Sequence, residues 1–303
     1  MAVESVTETA MIWGTVSGAS MVGMVISLLL SVGLPIFLGI FIYKKTKAWV
    51  PAFFIGCGIF VGFAMILEQI CHAIVLTVTG DVIRDNIWLY AIYGGLAAAL
   101  FEECGRWIAM KFCLKKHLTR ENALMYGAGH GGIEAFLILG MSSMSNLLTA
   151  AMINGGLMEK TMTALEPAQQ EVTYHQLSVL WTTPAYQFYL APVERISAIA
   201  LQIALSILVY SAVKTGRKLH LAAAFGLHFT VDFLTVVCAS TIPTWALELG
   251  LLMVVAVICV AVYKLADCND HTRKRAVRAA DFCPRRYLFR SLFPGSRSFG
   301  PWL

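Results

Sequence analysis

The sequence predicts an all-α, polytopic transmembrane helix bundle of about seven spans, with the N-terminus outside and the C-terminus in the cytoplasm. Three observations predict it. Of 303 residues, 58% are hydrophobic and only 14% are charged, against about 25% charged in soluble domains, and the mean hydropathy is +0.71. A soluble globule could not cover itself with so few charges, and a disordered chain or coiled coil would need many more. The apolar residues also fall in runs that can cross a bilayer, which takes about 20 helical residues. Finally, the Lys and Arg residues collect in alternate connections, as the positive-inside tendency requires.

The first span is expected over Ser20–Tyr43, with Pro35 inside it as a source of bending. Lys44, Lys45 and Lys47 follow it. The second covers Val50–Val78 and the fourth Asn122–Ile153; both exceed what a bilayer requires, so tilt or a kink is expected. The third, Ile87–Cys113, leads into Lys115, Lys116 and Arg120, with Lys111 in its last turn. The fifth, Pro192–Val213, is followed by Lys214, Arg217 and Lys218. The sixth and seventh are Leu219–Thr241 and Thr244–Leu265. The connections after spans two and four are acidic or neutral, with Asp81, Arg84, Asp85, Glu159, Lys160, Glu166 and Glu171. Losing any one span would break this alternation.

The chain therefore divides into an extracytoplasmic N-terminus (1–19), a transmembrane helical domain (20–265) and a basic cytoplasmic tail (266–303). The tail is suited to anionic headgroups rather than nucleic acid. The connection over Asn154–Ala191 carries Tyr174, Trp181, Tyr186, Phe188 and Tyr189, which suit a bilayer surface. The opening MAVESVTETAMIW has acids but no basic n-region, so it does not read as a cleaved signal peptide. The eight cysteines lie in or beside apolar runs or in the tail, without a CxxC pair. Neither a disulfide framework nor a thiolate zinc site is expected. The expected location is the cell membrane.

Within the spans stand Glu68, His72, Glu102, Glu103, Arg106, His130, Glu134, Glu194, Arg195, His228 and Asp232. Each ionisable group at mid-bilayer costs roughly 2.5–3.5 kcal/mol, so these must face one another or a wet cavity. At about 1.5 Å per residue from the basic helix ends, Glu102 and Glu103 lie about 15–17 Å deep. His130 and Glu134 lie about 12 and 18 Å deep, and His228 and Asp232 about 14 and 20 Å. Three helices thus bring acids and imidazoles to one level. Glu68/His72 and Glu194 fall nearer the outer face. The first reads as a hydrogen-bonded pair. Glu194 reads as a carboxylate at a helix start after Pro192, with Arg195 anchored at headgroups.

Glu102/Arg106, His130/Glu134 and His228/Asp232 are each i,i+4 and share a helix face. Arg106 can neutralise one carboxylate and leave the other available. Asp232 can fix the tautomer of His228. Two glycines beside His130 allow close approach. This set suits water activation at a divalent metal, most simply zinc, with His130 and/or Glu134 and His228 as ligands and Glu102 or Glu103 as general base. No HExxH signature is present, so the arrangement is not that of a zincin.

FEECGR (Phe101–Arg106), ALMYGAGHGGIEA (Ala123–Ala135), PVERISAI (Pro192–Ile199), HFTVDF (His228–Phe233) and the opening Ser17–Ile36 resemble the YhfC family of intramembrane metalloproteases. That family is distantly related to CAAX-processing and bacteriocin-processing proteases and to PrsW. The resemblance covers about Ser17 to Lys264. It implies that Glu102 and Glu103 activate water with Arg106 as partner, that His130 or Glu134 is a ligand, and that His228 and Asp232 form the third motif. Where the family pattern has a histidine on the fifth span, this chain has Gln202, which argues against a ligand there. The implied reaction is hydrolysis of a peptide bond in or near the membrane, in a membrane protein or a lipidated peptide. The competing readings are a proton- or cation-coupled transporter using the same buried groups, and a non-catalytic scaffold.

Overall fold

Side-chain caps start three of the long helices: Ser17 Oγ accepts from the Ser20 amide, Asn86 from those of Trp88 and Leu89, and Thr119 from that of Asn122. The structure is a computed structural model that describes the backbone of residues 11–281 and the side chains of residues 11–266. Those residues form α1 (Gly18–Thr46), α2 (Pro51–Thr79), α3 (Ile87–Cys113), α4 (Arg120–Asn154), α5 (Leu157–Met162), α6 (Pro167–Thr182), α7 (Ala185–Thr215), α8 (Lys218–Ala239) and α9 (Thr244–Asp281). No strand occurs among the described residues. Seven helices are long and apolar enough to cross a bilayer: α1–α4, α7, α8 and α9 over Thr244–Ala266. This is a multi-pass integral membrane protein, as the sequence requires.

Helix bounds agree with expectation to within a few residues, with two exceptions. α7 begins at Ala185, so Pro192 lies inside it rather than at its start. A proline within a helix leaves the carbonyl four residues back without its donor. Here that carbonyl is Phe188 O, and Ser27 Oγ of α1 donates to it at 3.1 Å. The second exception is α9, which continues to Asp281. The rest of the basic tail lies outside the described residues, as does the start of the N-terminal segment.

The two over-long spans carry π-helical turns, Val61–Glu68 in α2 and Phe136–Gly140 in α4. Such turns absorb extra residues without ending a helix and often sit at functional sites. Glu68 ends the first of them, and Glu134 stands two residues before the second.

α4 and α7 form the centre. Two-thirds of the most apolar window of α7 is buried, far more than in any other span. α4 offers it a glycine face: a Cβ on Gly127 would lie 2.7 Å from Ile203 Cα, and one on Gly129 would overlap the Phe53 backbone of α2. Only glycine permits helix backbones to meet this closely.

The bundle has two distinct ends. At one, the basic connections meet: Lys214 Nζ donates to Leu118 O (3.1 Å), Trp49 N donates to Asn122 Oδ1 (2.7 Å), and the Arg120 guanidinium lies over the Tyr263 ring (5.0 Å). At the other end, α5 and α6 fold over the N-terminal segment. Asn154 grips both backbone groups of Val16, while Tyr174 and Tyr189 donate to Ile12 O and Ala19 O. Trp13, Tyr174 and Trp181 form an aromatic cluster there. The long connection thus clasps this segment through part of its aromatic set.

Candidate metal centre

α3 contributes FEECGR one turn past mid-helix, and its spacing puts Glu102, Glu103 and Arg106 toward the bundle interior. Arg106 is fully buried. Its guanidinium donates to Glu103 Oε1 and to Gln202 Oε1, and stands 4.0 Å from Glu102 Oε2. An arginine taken wholly out of water is tolerable only with such partners.

Glu102 Oε2 is the meeting point of the site. It faces His130 Nε2 of α4 at 2.9 Å, accepts from Gln202 Nε2 of α7 at 2.9 Å, and lies 4.0 Å from His228 Nε2 of α8. Gln202 Nε2 also donates to Glu134 Oε2 at 2.8 Å, while Arg195 reaches Glu134 Oε1 at 3.2 Å and pairs with Glu194. The two adjacent acids of α3 have separate surroundings. Glu102 borders the cavity, whereas Glu103 is 2% exposed and held by Arg106 and by His228 Nδ1 at 2.9 Å. His228 Nε2 faces Asp232 Oδ2 at 3.4 Å.

The three helices named by the charge depths therefore do converge. Glu102, His130 and Glu134 each offer a ligand atom, all within 4.8 Å of one another, and all three side chains are buried. His228 lies beside this group, bridging it to Glu103. Asp232 is more open, 35% exposed in its side chain, and stands on the cavity wall. The donor set, one imidazole and two carboxylates, suits a divalent cation of the zinc type. The charge census agrees. Among the described residues Glu102, Glu103, Glu134, Glu194 and Asp232 face two arginines, Arg106 and Arg195, and the imidazoles of His130 and His228, so carboxylates outnumber cations, and Glu103 Oε2 is buried without a hydrogen-bond partner. An added cation would offset that excess.

A cavity of about 330 Å³ opens onto the cluster. It reaches from Glu102, Glu134 and His228 to His72 and Tyr93. His72 Nε2 stands 3.2 Å from Glu68 Oε1, and its Nδ1 hydrogen-bonds the Tyr93 hydroxyl (2.8 Å). His72 and the central cluster thus share one chamber. An apolar groove between α8 and α9 adjoins it along Val231, Thr235 and Leu251.

Two residues differ from their sequence reading. Arg195 is not at a helix start facing outward: because α7 starts ten residues before it, the residue is 9% exposed and paired inside the bundle with Glu134 and Glu194. Gln202 is not a silent replacement but the hub joining Glu102, Glu134 and Arg106. The available signal was the seven-residue spacing of Arg195 and Gln202, two turns on one face of an apolar span.

Comparison with known proteins identifies the family. Residues 30–259 match the family described as YhfC intramembrane metalloprotease. A relative in Bacillus subtilis (strain 168), described as uncharacterized membrane protein YhfC, is 43% identical over 204 residues, covering 64% of this chain and 76% of its own. No solved structure matches the chain. A match running from the first span into the seventh and containing every residue of the buried cluster makes this chain a member of the YhfC intramembrane metalloprotease family.

Proposed function

We propose that this protein is a metal-dependent intramembrane peptidase whose site lies in the α3–α4–α7–α8 chamber. The observation that carries the reading is the buried trio Glu102, His130 and Glu134 at mutual ligand distance, with Glu102 and Glu134 on the wall of a cavity that His228 and Asp232 also line. Glu102, His130 and Glu134 would hold the divalent ion, with zinc the best fit to the donors. Bound there, such an ion supplies Lewis acidity and makes water nucleophilic near neutral pH.

The protein's own residues supply the rest. Glu103, ionised against Arg106, accepts from His228 Nδ1–H, and the carboxylates of Glu102 and Asp232 that face Nε2 favour a proton there too, so His228 stands as a proton donor among three acids. Asp232, the open carboxylate on the cavity wall, takes a proton from water as the oxygen attacks the peptide carbonyl; His228 gives its Nε2 proton to the leaving amine as the C–N bond breaks, and the proton on Asp232 then restores it. One water is consumed, and a carboxylate and an amine result. Gln202 and Arg195 hold the carboxylates in place. This assignment differs from the sequence expectation in one respect: Glu102 groups with the ligands, and His228 with the proton transfer.

The test compares membranes from cells making wild type or Glu134→Gln. New membrane-protein termini should form with wild type only, and purified wild type should carry about one zinc equivalent that the variant loses. Identical termini from both would overturn the peptidase reading. A pH-dependent ion flux in wild-type liposomes, abolished by Glu134→Gln, would favour the transporter instead.

A further inference from the structure

Every helix lining the chamber contributes residues from one side of the metal-ligand level only. α3 gives Glu102 and then residues back toward its start, as far as Tyr90. α7 gives Gln202 and positions back to Glu194, with none between 203 and its basic end. α8 runs the other way through the bundle and gives His228 and then positions onward to Val236. α2 adds His72 and Leu76, near its end. α9 adds Leu251 and Val255 from its first half. Helices of opposite direction thus agree: the chamber extends from the ligands toward the end that carries Asp81–Asn86 and α5–α6. Toward the basic end the path is closed by Met110, Tyr126, Leu205 and Val209, all fully buried in the main core.

The basic end carries the lysines and arginines of three connections, and such loops stay in the cytoplasm. We infer that the site is fed from the extracytoplasmic side, so its substrate class is a polypeptide whose scissile bond lies in the outer half of the membrane or just beyond it. This rests on the peptidase reading for the word substrate, but the access route itself requires no turnover. Water reaches the site by the same path, past Tyr93, His72 and Asp232. The cytoplasmic half of the bundle serves as a packed floor that keeps the buried charges of Arg106 and Glu103 from bulk water on that side.

Cysteine labelling tests the route. Val236→Cys and Leu76→Cys, which line the chamber from α8 and α2, are placed singly in the full chain. A membrane-impermeant sulfonated maleimide is added to intact cells or to inside-out vesicles, and modification is read by site-resolved peptide mass spectrometry so that native cysteines are counted separately. Lys116→Cys marks the basic end. Both chamber positions should label in intact cells and lose that labelling in inside-out vesicles, with Lys116→Cys behaving oppositely. Chamber labelling only from inside-out vesicles, or in neither preparation at both positions, would overturn the inference. Chamber labelling from outside without any wild-type cleavage would instead preserve the route and remove the peptidase reading.

Discussion

Gln202 joins three charged partners with one neutral amide: its NH₂ donates to Glu102 and Glu134, and its carbonyl accepts from Arg106. A neutral bridge holds two carboxylates at close range without adding to their charge. Replacing it with Gln202→Leu leaves three buried charged groups short of a partner. Zinc affinity should fall by roughly 10–100-fold, as for other residues that orient metal ligands, measured by competition with a chromogenic chelator. His228 belongs to a different part of the chemistry, because its Nδ1 is spent on Glu103. His228→Gln should keep its zinc while cleavage of the wild-type substrates falls about 10²–10⁴-fold, the usual worth of a positioned proton-transfer group. If zinc is lost with His228→Gln, the histidine is a ligand after all.

At the scale of the element, α7 shows how a span tolerates its proline and α4 why it is rich in glycine. The Phe188 carbonyl released by Pro192 takes its hydrogen bond from Ser27, so the helix runs on and carries Arg195 into the bundle. Gly129 gives the room by which α2 packs on α4 and fixes the position of His130. Gly129→Ala forces a methyl group against the Phe53 carbonyl and should destabilise the bundle by about 1–3 kcal/mol, the cost of overpacking a close-packed interior. The measurement is the thermal unfolding midpoint in detergent, where an unchanged value would mean that α2 can shift freely. The hydropathy runs located these helices well, since burying about 20 apolar residues depends little on neighbours. The start of α7 was not legible in the same way. Proline ordinarily marks a helix start, and here the compensating donor comes from Ser27, 161 positions from the Phe188 carbonyl and visible only once α1 and α7 are packed.

The whole molecule places an excess of carboxylates over cations in its middle, with a sealed basic end and a chamber open at the other. A metal ion bound only by the folded state adds to stability in proportion to the logarithm of its concentration. Free zinc at 100 times its dissociation constant should therefore raise stability by about 2.7 kcal/mol. A chelator should lower the unfolding midpoint of wild type but not that of Glu134→Gln. The sequence alone determined the class of this protein, its seven spans, and the level at which acids and imidazoles gather, because composition and helical rise act locally along each segment. Which side chains meet was decided by tertiary structure alone: the split between Glu102 and Glu103, the bridging by Gln202, the recovery of Arg195 into the interior, and the single open end of the chamber. Those features depend on how each helix is rotated and how deeply it sits against the others. That is fixed by close contacts such as Gly127 on Ile203 and Gly129 on Phe53, between residues far apart in the chain.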